Sequence, residues 1–174
     1  MVGSVLRWSE FAAANPELAA VGRAMLYDVG IGLGFLATVR PDGGPRVHPI
    51  CPLIADDLYG FIVDGPKLAD LRRDGRYALH SETFGPPRHD DAFYVTGTIR
   101  ELDAGGVRDR LTQQFLDERE MTEPWPDFEH QALVEFTMDR VLLTLTEAGG
   151  SFPAGHSTWS DERRGGRRGS PNVT

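Results

Sequence analysis

The chain has 174 residues, 40% apolar, 9% aromatic and 25% charged, which fits one globular domain and excludes a disordered or fibrous chain. Its net charge is −8, and because segment 159–174 holds four arginines against one aspartate and one glutamate, the remainder stands at −10, a balance that repels nucleic acid. A single cysteine, Cys51, excludes an internal disulfide or a cysteine-built metal cluster, and no apolar run or leader pattern points to a membrane or to secretion, so a cytoplasmic location is expected.

In chain order, Ser9 before Glu10-Phe11-Ala12-Ala13-Ala14 predicts a short capped helix that Asn15-Pro16 ends. Leu18, Val21, Met25, Leu26 and Val29 then form one apolar stripe of a second helix, with Gly30 and Gly32 as its stop. From Gly34 the period becomes strand-like. Residues 35–40 and 45–54 flank the turn Pro41-Asp42-Gly43-Gly44 as a hairpin. Pro49 and Pro52 confine the second strand to an edge, a bulge or a bend.

Residues 58–63 predict a third strand, after which Gly65-Pro66 opens a helix with Leu68 and Leu71 on its inner face, ending near Asp74-Gly75. Strands follow at 77–81 and 92–100. Asp103 is positioned to cap a helix in which Val107, Leu111 and Phe115 recur every fourth residue. Residues 132–138 and 141–146, either side of Asp139-Arg140, predict a last hairpin. Short turns between strands, interrupted twice by helices, fit an α+β, mainly β fold: a six- to seven-stranded antiparallel barrel, closed or nearly so, with peripheral helices. So small a barrel is filled by side chains, and any sizeable ligand binds outside it. The domain is expected over 1–158, with 159–174 a flexible Arg/Gly-rich tail.

The five histidines form no His-x-His or His-Glu-x-x-His pattern, and no metal site is expected. Ser81 lies in no nucleophile elbow, and Gly30-Ile31-Gly32-Leu33-Gly34 leads into a strand, the wrong order for cradling a pyrophosphate. Lys67 is more informative. It is the only lysine beside seventeen arginines, and it stands in the first turn of a helix, where a cation is disfavoured unless an anion shares the site. Arg46 and His48, two apart on a strand, share a face and add basic groups, with Arg40 across the turn.

The motifs Thr38-Val39-Arg40-Pro41-Asp42-Gly43-Gly44-Pro45-Arg46-Val47-His48-Pro49 and Lys67-Leu68-Ala69-Asp70-Leu71-Arg72-Arg73-Asp74-Gly75-Arg76-Tyr77-Ala78-Leu79, in this element order, resemble the pyridoxamine 5′-phosphate oxidase-like family of flavin-binding split barrels. The resemblance implies a homodimer with FMN, or the deazaflavin F420, in a groove between subunits. Lys67 matches the family's phosphate-binding lysine. His48 and Leu53 stand where the oxidases proper carry a phosphate-binding arginine and a second basic residue, and Trp159 falls where some members bring a tryptophan to the flavin. The cofactor-binding set implied is Lys67, Arg46, His48, Thr38 and Trp159. The activity implied is an FMN- or F420-dependent oxidoreductase acting on a small molecule, in which no side chain need serve as acid or base. The alternative is a non-catalytic cofactor- or haem-binding stress-response protein, with His48, His80 or His156 as candidate haem ligands.

Overall fold

The computed structural model describes residues 6–103, 105–146 and 154–160. Helices α1 (Trp8–Ala14) and α2 (Pro16–Leu26) precede the hairpin β1 (Gly34–Val39) and β2 (Pro45–Ile50). Then come β3 (Pro52–Ile54), β4 (Leu58–Ile62), α3 (Pro66–Arg73), β5 (Arg76–Ser81), β6 (Ala92–Leu102), α4 (Gly106–Asp117), β7 (Ala132–Leu145) and β8 (Gly155–Ser160). All eight strands join one sheet in the order β2-β1-β5-β6-β7-β4-β3, with β8 also on β7, and every pairing is antiparallel.

The two ends of that order, β2 and β3, are separated in sequence by Cys51 alone. Pro49 and Pro52 lack the N–H that would continue the ladder, so the chain turns a corner there. The sheet curves round a core without closing.

The expected hairpin at Asp139-Arg140 is instead one continuous strand. Thr96 pairs with Arg140 and Gly97 with Met138, so Asp139 is the extra residue of a β-bulge in β7. The opposite glycine has a steric reason, since a Cβ at Gly97 would lie 1.8 Å from the Thr137 carbonyl oxygen. The bulge also splits the sheet. On the edge of β7 away from β6, residues before it pair with β4 and residues after it with β8. The strand count is thus eight rather than six or seven. The corner makes two strands of one, the bulge makes one of two, and β8 was not foreseen. Trp159 and Ser160, the first two residues of the expected tail, belong to β8, and the remaining tail residues, 161–174, lie outside the described residues.

Alternation decides the core. Leu36, Leu79, Phe93, Val95, Phe136 and Val141 point inward against Phe11 and Leu26 of the two N-terminal helices, each stabilising the fold by roughly 1.5–3 kcal/mol. A second cluster, Leu53, Tyr59, Leu111, Phe115, Phe128 and Leu133, lies under α4. Both are filled with side chains.

Helix termini differ from expectation in three places. Ser9 does not cap α1: its N–H and hydroxyl both donate to the buried Asp57 carboxylate, at 3.0 and 2.6 Å, and Arg7 holds the cap position. The second helix stops at Leu26, leaving Val29 outside and exposed. Asp103 does not cap α4, whose N-cap is Gly105; Leu111 and Phe115 face inward while Val107 is exposed. Among the described residues no helix is long and apolar enough to cross a membrane.

Candidate functional site: the amino-terminal end of α3

Gly65, at φ +145°, lets the chain enter α3 at an angle that L residues rarely adopt, and Pro66 fills the first helical position, where a missing N–H costs nothing. The first-turn N–H groups of Lys67 and Leu68 have no intrahelical acceptor, and no side chain caps the helix. Leu68 and Leu71 anchor the inner face.

Immediately before the first of those anchors, Lys67 is half-buried. Burial lowers its pKa from the ordinary lysine value, with the nearby Cys51 acting in the opposite sense. Among the described residues its amine has no hydrogen bond or ion pair. The Asp64 carboxylate accepts from the Gly65 N–H at 3.0 Å just before the helix but makes no bond to the amine, so the positive helix end and the unbonded amine still offer a seat to an incoming anion.

The arginines around it are already engaged. Arg40 pairs with Asp42 at 2.7 Å and Arg72 with Glu101 at 2.7 Å. Arg46 donates through Nε to Asp70 at 2.7 Å, and the Thr38 hydroxyl donates to the same carboxylate oxygen at 3.0 Å. Arg73 approaches the other Asp70 oxygen at 3.8 Å and donates to the Val39 carbonyl. Asp70 is 3% exposed, and the Arg46 guanidinium holds its carboxyl below the usual carboxylate range, with Thr38 and Arg73 adding to the effect against burial. The implied site residues Arg46 and Thr38 thus form a strut fixing α3 to the hairpin.

Asp70 went unnoticed in the sequence. The available signal was its place between Leu68 and Leu71, a buried phase for a carboxylate that then requires partners. His48 shares the Arg46 face of β2, as its pairing with Leu36 and that of Arg46 with Thr38 require. It is exposed, with no hydrogen bond among the described residues. Leu53 is buried in the second cluster.

Trp159 is elsewhere within the protomer. It packs on Phe11, ring centroids 5.1 Å apart, and borders a groove of about 610 Å³ between α2 and β8 whose lining includes none of the α3 residues. His80 bonds the Ser81 carbonyl at 2.7 Å and His156 the Thr144 hydroxyl at 3.0 Å. No cluster of three metal-ligating side chains occurs among the described residues.

The side of β2-β1-β5-β6 opposite the buried Leu36 and Leu79 is the outer face of this part of the sheet. Val47, Ala37, Ala78 and Thr96 form one cross-strand row, and Pro49, Phe35, His80 and Tyr94 the next. All are at least partly exposed, and Val47 is 59% exposed. A shallow depression of about 270 Å³ lies on this face between Ala37, Ala78, Tyr94 and Thr96.

No protein-family model and no curated protein matches the chain. Solved structures do match. A putative pyridoxamine 5′-phosphate oxidase from Listeria innocua is 16% identical with a TM-score of 0.57, over 73% of this chain and 98% of that one. An F420 reductase is 20% identical with a TM-score of 0.52, over 66% and 91%. The fold is the pyridoxamine 5′-phosphate oxidase-like split barrel. The same split barrel is found in HutZ, the haem storage protein from Vibrio cholerae, at 10% identity and a TM-score of 0.51 over 72% and 89%. Identities this low establish architecture and leave the ligand to the chain's own residues.

Proposed function

We propose that this split-barrel protein is an oxidoreductase that binds FMN, or F420, by its phosphate at the amino-terminal end of α3. The observation that carries the reading is the half-buried, unpaired Lys67 amine beside first-turn N–H groups, amid arginines that are each engaged elsewhere. Lys67 and the main chain would hold the phosphate. Arg46 and Thr38 would act through Asp70, keeping α3 in place, and His48 is the remaining basic side chain on that face. A bound flavin or deazaflavin supplies the hydride chemistry. The apolar outer face of β2-β1-β5-β6 is the surface we assign to a second copy in a homodimer, with a small-molecule substrate entering between the subunits.

The purified protein, or the protein mixed with FMN or F420, is expected to retain cofactor through gel filtration by absorbance. Lys67→Ala should weaken binding by about tenfold or more while thermal unfolding is unchanged, the loss of one charge-assisted contact to phosphate. Equal retention by both proteins would refute the site.

One observation favours a second reading. The engagement of Arg46 by Asp70 and the buried Leu53 leave the phosphate seat with fewer cations than a dedicated flavin site, which suits a protein that stores or buffers a cofactor or haem without turning it over. Titration with haemin decides this. A saturable Soret shift, lost on replacement of His48, His80 or His156, with no uptake of FMN or F420, would establish the second reading and reject the first.

A further inference from the structure

The sheet has three free edges among the described residues, and they differ in protection. β2 carries Pro45 and Pro49, and β3 carries Pro52, so part of each lacks the N–H groups an incoming strand requires. β8 pairs with β7 on one side only. Its six residues, Gly155–Ser160, include no proline, lysine, arginine or carboxylate. An edge left without proline, charge, bulge or cover is a template for another strand.

That edge borders the groove of about 610 Å³ whose opposite wall is the first turns of α2. Leu18, Val21, Leu143 and Trp159 supply an apolar floor. Thr158, whose side chain alternates to the other face from Ser157 and Trp159, lines the groove as well, so the cavity reaches the main chain of β8. Glu17, exposed in the first turn of α2, is the single ionised side chain of the lining, on a protein of net charge −8. The groove shares no residue with the seat at Lys67.

We infer that this groove is a strand-addition site for an extended peptide segment of another protein. The peptide main chain pairs with the free edge of β8, alternate apolar side chains rest on Leu18, Val21 and Trp159, and a basic residue lies beside Glu17. Main-chain hydrogen bonds give affinity in this mode, and the pockets for alternate side chains give selectivity.

The test is fluorescence anisotropy on the full-length protein, with a fluorescein-labelled hexapeptide that alternates valine with threonine and carries one arginine. Saturable binding is expected. Methylating alternate peptide nitrogens should weaken it by about tenfold or more, as two or three main-chain hydrogen bonds are lost. Glu17→Arg, at an exposed position, should weaken it about threefold at low salt, and Val21→Glu should abolish it. If Val21→Glu perturbs folding, the methylated peptide and Glu17→Arg carry the test. Absence of saturable binding, or equal binding of the methylated peptide, overturns the proposal. So does a fall in sedimentation coefficient on adding peptide, which would make a second copy the occupant, or displacement of the probe by a peptide of residues 161–174, which would make it the chain's own segment.

Discussion

At the scale of single residues, the site turns on one carboxylate. Asp70 collects Arg46, Thr38 and Arg73, and so decides which cations near α3 are spent and which remain. Its folded pKa lies below the ordinary value near 4, so its contribution to stability is present above that value and is lost as pH falls through the lower folded one. Urea midpoints followed from pH 6 downward should decline in that window for the wild type. Asp70→Asn should be less stable at pH 6 and should lack that part of the decline; parallel curves for the two proteins would show that the strut contributes nothing. Lys67 could be singled out in the sequence because its oddity is local: a solitary lysine in a first helical turn. The engagement of Arg46 could not, because its partner lies 24 positions away and only the packing of α3 on β1 and β2 brings the two together.

At the scale of elements, the hairpin 34–50 and helix α3 were legible from turn chemistry and from Gly65-Pro66, signals that operate over a few residues. The last hairpin was misread because Asp139-Arg140 looks like a turn in isolation, whereas pairing with β6 on one side and with β4 and β8 on the other keeps the strand continuous through a bulge. β8 escaped notice for a related reason: Gly155-His156-Ser157-Thr158-Trp159-Ser160 has one large apolar residue, and its strand conformation is imposed by β7. The bulge depends on close approach at Gly97. Gly97→Ala should therefore cost about 2 kcal/mol or more, read as a lower thermal midpoint, since the added methyl would meet main-chain atoms of Thr137 that cannot swing aside. An unchanged midpoint would mean that the strand accommodates a Cβ by a register the pairing does not show.

For the whole molecule, the two faces of the curved sheet do different work. The inner face and the corner at Cys51 bury two clusters of apolar side chains, and the proposed cofactor seat lies outside them, where α3 meets the hairpin. The outer face of β2-β1-β5-β6 presents valine, alanine, proline and phenylalanine at partly exposed positions, a surface suited to another copy. Val47→Arg should shift the sedimentation coefficient from dimer to monomer and weaken cofactor retention with it, if the cofactor lies between subunits. A monomeric wild type would remove that part of the proposal while leaving the α3 seat intact.

The seat itself can be observed directly because the chain contains one lysine. Protein labelled with ¹³C at lysine Cε gives a single side-chain resonance, which can be titrated with pH in the free protein and again with FMN or F420. The expected result is a free-state pKa below the ordinary lysine value, and a resonance that moves and a pKa that rises when either cofactor is added. A signal unmoved by saturating FMN and by saturating F420 would contradict it.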